Sequence, residues 1–158
     1  MRRLMAGMML LLPLGLAQAE VVEHQLDNGM KVIVKQDTRA PIAVSQVWYK
    51  VGSSYEHGGI TGVSHVLEHM MFKGTEQLDP GEFSRIIAAN GGEENAFTGR
   101  DYTAYFQTLS NDRIEVSFKL EAERMRHLKL NPEEFLKEVE VVKDCLLYTS
   151  PSPRDRYI

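Results

Sequence analysis

His65-Val66-Leu67-Glu68-His69 sets two imidazoles four residues apart with a carboxylate beside the second. In a helix, residues at that spacing stack on one side, so both rings can serve one metal ion while Glu68 lies on the adjoining surface. Zinc suits such a set: neutral imidazole is a good ligand, and a catalytic site takes three protein ligands plus one water. The ion brings the ionisation of that water close to neutral pH. Glu68 is placed to take the proton and later deliver it to a leaving amine, acting first as general base and then as general acid.

The order is the reverse of His-Glu-x-x-His and defines its own class of zinc peptidase. A solvated helix face that happens to carry two histidines and an acid is the plain alternative. A zinc store or sensor is a further one, but binding alone would not require Glu68. On a helical wheel Val63, Leu67 and Met70 form the apolar stripe, with His65, Glu68 and His69 on roughly the opposite side.

The elements that must hold this motif are legible in outline. Asn28-Gly29 lies between Val21–Leu26 and Met30–Lys35, which predicts a hairpin with a two-residue turn. Residues 42–51 are β-branched and aromatic with few charges, as expected of a central strand covered on both faces. The motif helix is expected from Thr61, as cap, to Phe72. A second helix follows Asp79-Pro80-Gly81-Glu82, a cap with its box partner, and ends at Gly91-Gly92.

Residues 95–98 and 102–109 are two more expected strands. Ile114, Phe118, Ala122, Met125 and Leu128 then fall at helical spacing. From Asn131 to Asp144 a last helix is marked by Asn131 as cap, Pro132 in the first turn, and Glu133 and Glu134 at its positive end. Strands, two helices, strands and two helices suggest an α+β domain, a mainly antiparallel sheet with helices packed on it.

Residues 1–19 resemble an export signal: Arg2 and Arg3, an apolar run from Leu4 to Leu16, and the small-x-small site Ala17-Gln18-Ala19. Cleavage is expected before Glu20, with a bacterial periplasm as destination and no membrane attachment afterwards. Four of the 18 Lys and Arg (Arg2, Arg3, Arg154, Arg156) and one of the 22 acidic residues (Asp155) lie outside residues 20–153, which leaves a balance there of about −7. That balance, without clustered Lys and Arg, argues against nucleic acid as a partner. A single cysteine excludes an internal disulfide framework.

Four separated blocks carry a resemblance. Leu26-Asp-Asn-Gly-Met-Lys-Val, Val47-Trp-Tyr-Lys-Val-Gly, His65-Val-Leu-Glu-His-Met-Met-Phe-Lys-Gly-Thr75 and Gly91-Gly-Glu-Glu-Asn-Ala-Phe-Thr98 together resemble the pitrilysin/insulinase family, which includes the mitochondrial processing peptidase. The likeness runs over residues 22–144. It implies a zinc metalloendopeptidase acting on peptides or unfolded polypeptide segments, with His65 and His69 as ligands and Glu68 as base.

The resemblance further implies a supporting Glu at Glu138 and a third ligand, a Glu, seven residues later, where Cys145 stands. A thiolate at Cys145 is a sharp alternative ligand, whereas Asp144 lies about a quarter-turn off that face. Asn95, Ala96, Phe97 and Thr98 match a sheet edge to which substrate adds as an extra strand. Residues read alone, they would be an ordinary edge strand. A second family subunit or a C-terminal half is the implied partner. The rival function is a non-catalytic family partner that forms a chamber or assembly surface, but such subunits usually lack a complete motif.

The run Cys145-Leu-Leu-Tyr-Thr-Ser-Pro-Ser-Pro-Arg-Asp155 back-translates, codon by codon, into a transposase adapter of sequencing libraries. The expected organisation is therefore a signal peptide over 1–19, a partial N-terminal peptidase domain over 20–144, and a non-native tail over 145–158. A genuine helix end followed by a Ser-Pro linker is the alternative. With the third ligand missing, the chain as it stands is expected to bind zinc weakly and to lack activity.

Overall fold

Val21–Gln25 (β1) and Lys31–Lys35 (β2) pair antiparallel, with Gln25 opposite Lys31. These and all following elements come from a computed structural model that describes residues 20–149; the signal segment and residues 150–158 lie outside the described residues. The turn of this hairpin differs from expectation. Gly29 N–H donates to Leu26 O and Leu26 N–H to Met30 O, each at 2.9 Å. The loop is thus Asp27-Asn28-Gly29, three residues with Gly29 at φ +86°. A type I turn closed by a left-handed residue suits Asp-Asn-Gly, because only the last position needs positive φ. Residues 20–40 belong to one compact unit and residues from Pro41 onward to another.

In the second unit Ile42–Tyr49 (β3), Glu93–Thr98 (β4) and Thr103–Ser110 (β5) make an antiparallel sheet in the order β3-β5-β4. The expectation that residues 42–51 form the central strand is overturned: β5 is central and β3 lies at an edge. Along β3, exposed Ile42, Val44, Gln46 and Trp48 alternate with half-buried neighbours, the period-two pattern of a strand covered on one face.

Four helices complete the unit: Val63–Met70 (α1), Glu82–Ala89 (α2), Ile114–His127 (α3) and Pro132–Thr149 (α4). The element order and the α+β class are those expected. Helix α3 packs on β3 and β5, α1 and α2 meet β4, and α4 lies against α1. One core joins Phe83, Ile87, Leu109 and Leu120; another joins Val66, Met70 and Val142. Each such buried side chain contributes on the order of 2 kcal/mol. Among the described residues no helix is long and apolar enough to cross a membrane.

Helix ends show how local rules were kept or displaced. Asn131 Oδ1 accepts from Glu133 N–H at 2.8 Å, the expected cap of α4. That helix runs beyond the expected end at Asp144 to Thr149, since Cys145-Leu-Leu-Tyr-Thr carries no helix breaker before Pro151. At α2 the expected cap on Asp79 is displaced: Gly81, at φ +74°, precedes the helix, and Glu82 Oε2 accepts from Asp79 N–H at 2.9 Å across the turn before it. Its other end closes as a Schellman motif, with Gly92 N–H on Ile87 O and Gly91 N–H on Ala88 O.

Two expected apolar stripes face inward only in part: Met70 is buried as expected, and Ile114 and Leu128 are half-buried. On α3, Phe118 and Met125 are exposed, while Ser117, Leu120, Glu121 and Arg124 are buried. The inward polar side chains bond to one another and to the central strand, except that Arg124 Nη1 is buried without a hydrogen-bond partner: Gln107 Nε2 donates to Glu121 Oε1 at 2.7 Å, and Ser117 Oγ to Gln107 Oε1 at 2.8 Å. Arg124 Nη2 donates to Glu121 Oε1 at 2.5 Å, and the Arg124 guanidinium lies over the Tyr105 and Phe83 rings at 4.3 and 4.5 Å. These bonds, with the ring faces beneath the guanidinium, offset the cost of burying the polar face. On α1, Val63 and Leu67 are exposed, and the i, i+4 pair Val66 and Met70 turns inward against α4.

Candidate metal centre and active site

Helix α1 does not start on Thr61. Gly62, at φ +90°, precedes it, and its first turn is held by Glu56 from six residues upstream. Glu56 Oε2 accepts from Gly62 N–H at 2.7 Å and Oε1 from Ser64 N–H at 2.9 Å. These two backbone donors hold the Glu56 carboxyl below its ordinary range. A carboxylate answers both the unpaired N–H groups and the positive end of the helix, which a threonine hydroxyl cannot match. Only glycine adopts the left-handed turn at 62 without strain.

That start sets the rotation of α1, and the rotation places the motif. The His65 and His69 rings lie with centroids 4.9 Å apart and planes at 80°. Both, with Glu68, are half-buried. The Thr98 hydroxyl, from the end of β4, donates a short hydrogen bond to Glu68 Oε2. Across the chain, Glu138 of α4 brings Oε2 to 2.8 Å from His69 Nδ1. An ionised carboxylate only accepts, so in the neutral ring this contact puts the proton on Nδ1 and leaves the Nε2 lone pair available.

Glu138 is held in turn by Lys73, whose Nζ lies 2.5 Å from Oε1. Burial raises the Glu138 carboxyl, but the Lys73 ammonium and His69 outweigh that and keep it below the usual range. Sequence reasoning missed Lys73, because its partner Glu138 lies on a distant helix and local spacing gives no sign of it. Glu56 was missed for the same reason.

The structure therefore brings together His65, Glu68, His69, Glu138 and Thr98. Asn95 and Phe97 are exposed and Ala96 half-buried on β4, which pairs on one side with β5 and has no strand on its other side among the described residues. A cleft of about 670 Å³ runs past His65 and Glu68 between Glu56, Phe97, Thr98 and Arg100. Asp144 and Cys145 are exposed on α4.

Two imidazoles, one of them backed by a carboxylate on Nδ1, are the donor types that zinc takes, with the outer partner that orients a ligand histidine. Among the described residues, no three His, Cys, Asp or Glu side chains gather closely enough to hold a metal ion. The donors fit zinc in kind, and Cys145 does not join them as a third.

This combination of sheet, helices and an inverted histidine pair belongs to one class of peptidase domain. Residues 31–149 match the family described as Insulinase (Peptidase family M16), and the chain belongs to that family. It is 39% identical over 132 residues to the zinc protease PqqE of Helicobacter pylori, covering 81% of this chain and 30% of that protein. It is 29% identical over 117 residues to a probable mitochondrial-processing peptidase subunit beta of Arabidopsis thaliana, covering 74% and 22%. The crystal structure of a protease from Helicobacter pylori superposes with a TM-score of 0.78 at 37% identity, over 83% of this chain and 32% of that one. The chain thus spans about a third or less of the relatives it matches.

Proposed function

We propose that the complete protein is a zinc metalloendopeptidase that cleaves peptides or unfolded polypeptide segments, with His65 and His69 as two of three metal ligands. The observation that carries this reading is the contact between His69 Nδ1 and Glu138 Oε2 at 2.8 Å, because it prepares Nε2 as a donor beside His65. Zinc would supply Lewis acidity there, ionising a coordinated water near neutral pH and polarising the scissile carbonyl.

The chain's own residues divide the remaining work. Glu68 accepts the proton of the attacking water and returns it to the leaving amine. Thr98 holds one oxygen of Glu68, which leaves the other for that exchange. The outer edge of β4, from Asn95 to Thr98, offers backbone groups to an extended substrate, and main-chain pairing of this kind makes little demand on sequence. The third ligand is a Glu on α4 at position 145, where this chain has Cys. A second subunit or a C-terminal half encloses the substrate from the other side. Export to a bacterial periplasm rests on residues 1–19, and a mature form starting at Glu20 in a periplasmic extract checks it.

The test is direct. Full-length protein with Glu at position 145 should bind one zinc and cleave peptides, and Glu68→Gln should keep the metal while losing turnover. Undiminished cleavage by Glu68→Gln would remove the proposed base. The chain as it stands should bind zinc weakly, and a tight one-to-one complex by calorimetry would contradict that.

A further inference from the structure

Lys73 lies in the turn that follows α1, with its N–H on Met70 O at 3.0 Å. Its ammonium reaches across to α4, 2.5 Å from Glu138 Oε1 and 3.7 Å from Glu134 Oε2. The Glu138 side chain is only 9% exposed, and its second oxygen is the one on His69 Nδ1. Each oxygen of a single buried carboxylate thus has its own partner, one from the turn after α1 and one from its last turn.

We propose that Lys73 is a positioning residue for the metal centre: by occupying Oε1 it fixes the Glu138 carboxylate so that Oε2 accepts from His69 Nδ1, which presents Nε2 as the lone pair. A carboxylate on a long side chain turns about its last bond unless both oxygens are engaged. With Oε1 unpaired in a buried setting, the group would rotate or draw in water, and His69 would lose the partner that selects its tautomer. A lysine suits the task because its three donors can serve Glu138 and Glu134 together. The inference builds on the proposed zinc reading, but its central claim concerns the His69 tautomer, which is measurable without metal.

The test compares the unmodified chain with Lys73→Met, Lys73→Arg and Lys137→Ala by long-range nitrogen–proton NMR of the neutral His69 ring, followed by titration with zinc alone. Lys137 also pairs with Glu134, at 2.6 Å, and serves as the control on the same helix. The unmodified chain and Lys137→Ala should show His69 protonated on Nδ1. Lys73→Met should move the ring toward Nε2 protonation and weaken zinc binding by about tenfold, the lower end of what loss of a ligand's outer partner costs. Lys73→Arg should restore both.

An Nδ1 proton retained in folded Lys73→Met overturns the proposal. So does an Nε2 proton in the unmodified chain, a result that needs no variant to fold. A tautomer change in Lys73→Met when full-length protein with Glu at position 145 binds no zinc supports the positioning role and defeats the zinc reading instead.

Discussion

The hydroxyl of Thr98 donates to Oε2 of Glu68, joining the end of the edge strand β4 to the helix that carries the histidines. The strand proposed to bind substrate and the carboxylate proposed to move protons are therefore mechanically one unit. Hydrogen bonds to a charged acceptor are worth roughly 1.5–3 kcal/mol. Replacing Thr98 by Val in the complete peptidase should lower kcat by about tenfold with a smaller change in KM, and Thr98→Ser should recover most of it. Steady-state kinetics on an unstructured peptide checks this; equal kcat in Thr98→Val and the parent would show that Glu68 needs no such support.

Glu138 reaches His69 from α4, so its removal should be felt at the metal before it is felt in the fold. Glu138→Ala should weaken zinc binding by about 10–100-fold, measured by competition with a coloured chelator. His65→Ala removes a proposed ligand outright and should do more damage than Glu138→Ala. The reverse ranking would mean that Glu138, not His65, is the ligand.

The Glu56 carboxyl sits below its ordinary value of 4.5 because the N–H groups of Gly62 and Ser64 favour the charged form. A depressed carboxyl contributes stability that is complete above the unfolded value and is lost as pH falls through the folded one. Acidification from neutral should therefore loosen the start of α1 below about pH 4.5, the ordinary carboxylate range. Glu56→Ala should cost about 1 kcal/mol at neutral pH, the usual worth of a helix cap, and should flatten the acid limb of a thermal-unfolding series. An acid limb identical to the parent's would dismiss Glu56 as the cap.

The inward polar face of α3 makes a contrast that a single urea-unfolding experiment can read. The Arg124 side chain is wholly buried on Glu121, so Arg124→Ala leaves an unpaired buried carboxylate and should destabilise by roughly 3–5 kcal/mol. Phe118 is 58% exposed, and Phe118→Ser should stay within about 0.5 kcal/mol. If Phe118→Ser proves the costlier change, the helix is turned the other way.

The sequence by itself determined what lies within one helical turn or one turn of chain. His65 and His69 share a side because 3.6 residues make a turn wherever the helix sits, and Asn131 caps α4 because its side chain reaches only its own neighbours. The order of strands and helices followed from the same short-range patterns. So did the family, from blocks such as residues 65–75.

Only the tertiary structure decided which groups meet across long stretches of chain. Glu138 on His69, Lys73 on Glu138, Thr98 on Glu68 and Glu56 on Gly62 each depend on how separate segments pack. The inward face of α3 was decided in the same way. Periodicity finds two faces on a helix and ranks them by apolarity, but Gln107 on the central strand reverses the ranking by satisfying Ser117 and Glu121 in the interior. A hydrogen-bond partner more than one turn away leaves no trace in local spacing, because it is chosen by the packing of elements and not by the residues on either side.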